Sequence, residues 1–482
     1  MNQLSRRSFL KTSALAAGAV AFSARSWAQV AGANGDIRVA VLGLNGRGRN
    51  HLTSLAALKG VRIVGLCDPD TAVLERAKQS LGEKGAAVKT YVDLREVFAS
   101  PDIDAVTIAT PNHWHALAGI WACQAGKDIY IEKPISHNIW EGRQLVAAAK
   151  KYNRVVQCGT QIRSGEGLQE AVAWTRAGNL GRITASRGFC YKRRDSIGKT
   201  EGEQPPPATV NYDLWTGPAP LVPLRRKKLH YDWHWVNLTG NGDVGNQGIH
   251  QMDVARWFLG EPGLPRHTVS VGGRLGYEDD GNTPNTQVVV HDYATAPLIF
   301  EVRGLPAKPG DNAMDKYRGV AIGNIVDCEG GYVVTSEYFT AKALDRDGKV
   351  VKEFRGTDRH MANFIDVVRS RRTADLYGPL EEGHVSSSLC HLGNISHLLG
   401  HGAPAGEIRE KVAGNAPLAE ACGRMTEHLA TNGVDLAKTP ATLGLPLTVD
   451  AKAERFTGPD AAAANALLTR QYRKSFEVPQ VA

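Results

Sequence analysis

The run IRVAVLGLNGRGRNHLTSLAALKGVRIVGLCDPD, residues 37–70, constrains the fold more than any other stretch of the chain. Ile37 to Leu42 is a largely apolar run, as a strand buried on both faces of a parallel sheet requires. Gly43, Gly46 and Gly48 follow at once, and Leu52, Leu55 and Leu58 then recur at helical spacing from Arg49 onward. A second apolar run, Val61 to Leu66, ends at Cys67-Asp68. Strand, glycine turn, helix, strand and acid form the unit that binds a dinucleotide. Glycines let the backbone approach a pyrophosphate, and the helix N-terminus offers N–H donors and partial positive charge. Asn45 stands where the motif has its second glycine, and it is expected to adopt a positive φ. Asp68, 20 residues past Gly48, is placed to accept hydrogen bonds from a ribose. Its charge favours NAD over NADP.

The alternation continues through DIDAVTIATPNHWHALAGIWACQAGKDIYIEKPIS, which reads as strand (Ala105 to Ala109), loop, helix and strand (Asp128 to Ile131). Ligands bind at the carboxyl edge of such a sheet. Thr110, Pro111, Asn112, His113 and His115 fall on one loop of that edge, and Glu132, Lys133 and Pro134 on another. The cofactor contacts expected are therefore Gly43, Asn45, Gly46, Arg47, Gly48, Asp68, Thr110, Pro111, Asn112, His115, Glu132 and Lys133. From Ile183 the pattern changes. ITASRGFCYK, HTVSVGGRLGY, TQVVVHDY, PLIFEVRG and GYVVTSEY are strand-like runs without a helix between each, while HMANFIDVVRSRR and EEGHVSSSLCHLGNISHLL read as helices.

The first residues, MNQLSRRSFLKTSALAAGAVAFSARSWAQ, carry Arg6-Arg7 in a Ser-Arg-Arg-x-Phe-Leu-Lys order, a modest apolar stretch and Ser26-Trp27-Ala28. This reads as a twin-arginine signal over residues 1–28, and the expected location is periplasmic or secreted. The segment holds four cations and no acid, so its removal takes the formal charge from +8 to +4. A mildly basic mature chain gives little reason to expect nucleic acid. No apolar run reaches the roughly 18 residues of a membrane span. The seven cysteines are odd in number and lack any C-x-x-C spacing, so they read as small buried hydrophobes. No metal site is expected, and no H-E-x-x-H, Walker A or G-x-S-x-G run occurs.

The pieces GLNGRGRNH, CDPD, TPNHWHA, EKPIS and GIHQMD, in this order, resemble the glucose–fructose oxidoreductase/inositol dehydrogenase (Gfo/Idh/MocA) family. The resemblance implies an N-terminal Rossmann domain with a doubly wound parallel sheet over residues 36–160. It also implies a C-terminal α/β domain over residues 161–480, whose open, mostly antiparallel sheet serves substrate binding and homo-oligomer contact. Lys133 matches the family's Glu-Lys-Pro lysine, which lies near the nicotinamide and the substrate hydroxyl. His250 matches the general base of the sugar dehydrogenases, although Asn246 stands where the family has an Asp.

On a regular helix Asn246, His250 and Asp253 share one face. These three, with Tyr191, Trp233 and His234, are the expected substrate contacts, and Lys133 and His250 the expected catalytic pair. The basic run Arg225 to Lys228, with the aromatic residues after it, suits a carbohydrate wall and equally a structural tryptophan cluster. The expected activity is oxidation of a secondary hydroxyl of a sugar or polyol by an exported protein that retains NAD. Glycosidic cleavage through transient oxidation is the alternative within the same chemistry. A non-catalytic sugar-binding protein with structural NAD is the alternative outside it.

Overall fold

The computed structural model describes residues 35–481, so the expected signal segment lies outside the described residues. Six strands form the first sheet: β1 (Ile37–Leu42), β2 (Val61–Cys67), β3 (Lys89–Tyr91), β4 (Ala105–Ile108), β5 (Asp128–Ile131) and β6 (Val156–Cys158). Their order is β3-β2-β1-β4-β5-β6, and every pairing is parallel. The central strands β1, β4 and β5 are buried almost throughout, which explains their apolar runs. Strand order reverses between β1 and β4, and a crevice opens at their carboxyl ends, where a doubly wound sheet binds its ligand.

The second sheet has twelve strands and is mostly antiparallel. They are β7 (Ile183–Tyr191), β8 (His267–Gly273), β9 (Thr286–Asp292), β10 (Leu298–Arg303), β11 (Ile322–Cys328), β12 (Gly331–Thr335), β13 (Ala341–Asp345), β14 (Val350–Phe354), β15 (His401–Ala403), β16 (Ala441–Leu443), β17 (Leu447–Asp450) and β18 (Arg455–Thr457). The β7–β10 pair is parallel. The helix Ile249–Leu259 packs on β7 and β11, with Met252, Ala255 and Phe258 fully or almost fully buried. The helix Leu380–Leu398 bridges the two sheets, touching β8 on one side and the Rossmann helix Ile139–Lys151 on the other.

The chain returns twice to the first sheet. Phe364, Ile365 and Val367 of the helix His360–Ser370 share a core with Val39 and Tyr130. Phe476 and Val478 near the C-terminus share another with Trp114 and Ile120. All seven cysteines are buried and unpaired. No helix among the described residues is long and apolar enough to cross a membrane, and no group of three or more His, Cys, Asp or Glu there could hold a metal.

Candidate active site

A cavity of about 600 Å³ runs along the carboxyl edge of the first sheet and on between the two sheets. It begins at the turn after β1. Gly43 and Gly46 take positive φ values of 79° and 43°. Asn45 does not, so the turn survives the missing glycine because its neighbours supply the unusual conformation. A Cβ on Gly48 would lie 1.9 Å from the Gly43 carbonyl oxygen, so helix and strand approach too closely for any side chain there. The helix Arg47–Ala56 has no capping side chain and no acid in its first turn. The Gly48 N–H is spent on the Asn45 carbonyl at 2.9 Å, and the absence of a cap leaves the end of the helix open to an anion.

Asp68 directly follows β2 and lines the same cavity. Its carboxylate accepts N–H bonds from Leu44 (2.9 Å) and Asp70 (3.0 Å), which leaves lone pairs for further donors. Burial pushes its pKa up to about 6 against the pull of those two bonds. At β4, Thr110, Pro111 and Asn112 line the cavity, and the Thr110 hydroxyl is buried without a partner. Asn112 donates to the Asn241 side chain at 3.1 Å. His115 is clamped between the Thr110 and Pro134 carbonyls at 2.7 and 2.5 Å, tying the two edge loops together. His113 lies off this lining, held by the Thr239 and Trp215 carbonyls.

Glu132 is a positioning carboxylate. It accepts from Arg47 (2.8 Å) and Gln161 (3.1 Å) and meets the His51 ring (3.1 Å). Burial pushes its pKa up, but Arg47 and His51 outweigh burial and hold it well below the usual carboxylate range. Lys133, next in sequence, donates to the Asn246 backbone carbonyl at 2.5 Å. Burial lowers the pKa of its ammonium, and Glu132 restores part of the loss.

Residues 244–248 form a π-helical turn before the helix Ile249–Leu259. Its glycines allow the close packing. A Cβ on Gly245 would meet the Asn241 Cβ at 2.6 Å, and one on Gly248 would meet the Phe300 ring at 2.4 Å. The π turn alters the spacing between Asn246 and His250, whereas His250 and Asp253 stay three residues apart on the regular helix. His250 and Asn246 line the cavity. Asp253 does not. It is almost fully buried, gripped by Arg163 at 2.8 to 3.0 Å and by the Ser386 hydroxyl at 2.6 Å. The His250 ring has a buried Nδ1 without a partner. Burial, reinforced by the Lys133 charge, pulls its pKa down to about 3, so the ring is neutral near pH 7.

The remaining wall comes from Trp233 and His234, stacked with ring centroids 3.6 Å apart, and from Tyr338, 5.6 Å from the His250 ring. Tyr191 was expected here but lies elsewhere, almost fully buried, its hydroxyl donating to Glu301 at 2.7 Å beneath Arg303. The run 205–235 could not be assigned to the nucleotide from sequence. Thr209 accepts from the Thr71 N–H (2.9 Å), Asn211 donates to the Pro69 carbonyl (2.8 Å), and His230 pairs with Asp70 (2.9 Å). Leu214, Trp215, His230 and Tyr231 thereby wall the Asp68 end of the cavity. Gln161 and Tyr338 were also missed, since neither belongs to a motif that spacing reveals.

Comparison with known proteins decides the family. Residues 37–160 match the model described as the oxidoreductase family's NAD-binding Rossmann fold, and residues 172–292 match its C-terminal alpha/beta domain. The two cover just over half of the chain. The chain belongs to the Gfo/Idh/MocA oxidoreductase family. It is 26% identical over 280 residues to a levoglucosan dehydrogenase of Pseudarthrobacter phenanthrenivorans, covering 55% of this chain and 65% of that one. It is 32% identical over 205 residues to a glycosyl hydrolase family 109 protein of Shewanella sp. strain ANA-3, covering 38% and 45%. Both alignments span less than two thirds of the relative's length. The fold is shared with the WlbA dehydrogenase of Bordetella pertussis, solved with NADH and UDP-GlcNAcA. That match has a TM-score of 0.54 at 18% identity, over 73% of this chain and 94% of that one.

The residues present fit a dinucleotide. The open helix N-terminus, the Asp68 lone pairs and the unpartnered Thr110 hydroxyl occur along one cavity whose volume lies within the range of cofactor sites.

Proposed function

We propose that this protein oxidises a secondary hydroxyl of a sugar or polyol and keeps its cofactor through the cycle. NAD⁺ bound in the cavity would supply the hydride acceptor. The neutral His250 imidazole and the half-buried Lys133 amine, brought into one cavity with a dinucleotide turn, carry the reading. A substrate hydroxyl between the two accepts from Lys133 and donates to His250. The ammonium stabilises negative charge as it develops on oxygen, and the ring takes the proton as hydride leaves the carbon. Asn246 no longer plays the family's acid, because its backbone carbonyl holds Lys133 and its side chain carries no charge. Asp68 would repel a 2′-phosphate and so favours NAD. Arg76 lines the same cavity, which makes NADP the weaker ligand rather than a forbidden one.

Retention of the cofactor is supported by the segment 205–235, which follows β7 and reaches back to bond residues 69–71. It fits the export that Arg6-Arg7 suggests, since free NAD is scarce outside the cytoplasm. Fractionation of cells carrying the natural chain or Arg6→Lys with Arg7→Lys tests the location. Self-association through the second sheet, where Val350 and Val351 of β14 are exposed, is the matching expectation for assembly and is read by light scattering.

A second reading, glycosidic cleavage by transient oxidation, is favoured by the 32% identity to family 109 proteins. The experiment that tests both mixes nucleotide-loaded protein with free sugars and with aryl glycosides, following 340 nm absorbance and aglycone release. Lasting NADH absorbance with free sugars supports dehydrogenation. Aglycone release without lasting absorbance supports cleavage. Neither signal across a broad panel contradicts both.

A further inference from the structure

A second, smaller cavity of about 210 Å³ lies on the other side of Trp215, which lines both. Its walls include Tyr212, Thr216, Arg225, Arg226 and Asp280. Two polar groups among them have no partner, the Arg226 Nε and the Thr216 hydroxyl. Arg226 is 5% exposed. It spends one N–H on the Leu229 carbonyl at 3.2 Å and lies over the Trp215 ring at 5.1 Å. Arg163, Arg187, Arg256 and Arg303 are comparably buried, and each holds a carboxylate. Arg226 holds none among the described residues. Burial pulls its pKa down to about 10, with Tyr212 and Asp232 restoring part of the loss. An uncompensated buried charge is costly, and an anion in the adjoining space removes the cost.

We propose that this cavity is a carboxylate subsite that takes one small hydroxy acid unit, such as a uronic acid, on the fork of Arg226 with the Thr216 hydroxyl as second donor. A guanidinium matches a planar carboxylate in two parallel bonds. Asp280, held by the Thr200 N–H and hydroxyl at 2.7 and 2.9 Å, puts a negative charge in the wall that opposes a dianion such as phosphate about twice as strongly as a single carboxylate. Tyr212 and Trp215 stack at 5.9 Å with 6° between their planes, which gives a flat apolar side for ring C–H groups. The volume admits a single unit rather than a whole cofactor.

The test measures binding, not turnover, so it stands apart from the proposed reaction. Nucleotide-loaded protein is titrated by calorimetry with glucuronate, a glucuronide, glucose and inorganic phosphate. The same titrations are run on Arg226→Met and Thr216→Val. Glucuronate is expected to bind and glucose and phosphate are not. Arg226→Met should unfold no earlier than the natural protein, because the apolar stem remains and the charge is gone. It should bind glucuronate roughly tenfold or more weakly. Tighter binding of the glucuronide than of glucuronate assigns the subsite to the substrate, and equal affinity assigns it to a separate ligand. Glucuronate that fails to bind, or phosphate that displaces it, overturns the proposal. So does glucuronate affinity unchanged in Arg226→Met, or in Thr216→Val should the arginine variant not fold.

Discussion

Protonation of Asp68 should weaken the hold on the nucleotide within a narrow pH window. The carboxyl is buried at the end of β2, and burial raises its pKa to about 6 despite the N–H bonds from Leu44 and Asp70. Ribose hydroxyls need the ionised form as acceptor, so binding and protonation compete. At pH 7 about nine carboxyls in ten are ionised, and at pH 5 about one in eleven, which makes apparent NAD affinity roughly tenfold weaker at pH 5. Below pH 6 binding releases close to one proton, because the bound state favours the ionised carboxylate. The sign is fixed by the direction of the shift. A carboxyl held below its usual value would show no change across this window. Calorimetry from pH 8 to 5, in buffers of different ionisation enthalpy, reads both affinity and proton release. Asp68→Asn should bind more weakly at pH 7 and lose the pH dependence. Asp70 and His230 face the same end, so His230→Gln serves as a control and should keep the dependence. An affinity flat between pH 8 and 5, or a dependence that survives in Asp68→Asn, refutes the reasoning.

His250→Ala and Lys133→Met should each slow single-turnover hydride transfer by roughly 10²- to 10⁴-fold while leaving NAD bound, measured by stopped-flow absorbance at 340 nm. Because His250 stays neutral down to about pH 3, that rate in the loaded protein should hold from pH 8 to 5, and an acid limb near neutrality that disappears in His250→Gln contradicts the assignment. Gly48→Ala puts a Cβ 1.9 Å from the Gly43 carbonyl and should abolish nucleotide binding, read by the nucleotide content of the purified protein. Asp253→Ala leaves the buried Arg163 with only the partly exposed Glu382 at 3.0 Å and should cost about 3 kcal/mol in chemical denaturation, whereas a substrate contact would instead raise KM with stability intact.

The Rossmann half was legible because its physics is local. A strand buried on both faces writes an apolar run, and Gly43, Gly46 and Gly48 sit where backbone conformation or close approach demands them. Lys133 and His250 stand in motifs whose spacing lies within one or two elements, and both line the cavity. What failed depended on register or distant contact. Regular helical spacing puts Asp253 near the face of His250, but Arg163 and the Ser386 hydroxyl hold its carboxylate away from the cavity. Arg163 lies 90 residues away in sequence, and no local pattern announces that pairing. Tyr191 ends a strand pointing the right way along the chain, but its ring is claimed by Glu301 and Arg303. Strand β11 went unread because Gly323 and Asn324 dilute its apolar pattern. The segment 205–235 walls the cavity through two backbone bonds and the His230–Asp70 pair, contacts across more than 130 residues that local spacing does not reveal.

The central claim is that NAD is a resident part of a sugar-oxidising site. The most direct test is to purify the protein without added cofactor, denature it, and quantify NAD(H) and NADP(H) in the supernatant by mass spectrometry and absorbance. Near-stoichiometric NAD(H) is expected. A protein that emerges empty and does not take up NAD when offered it would contradict the claim.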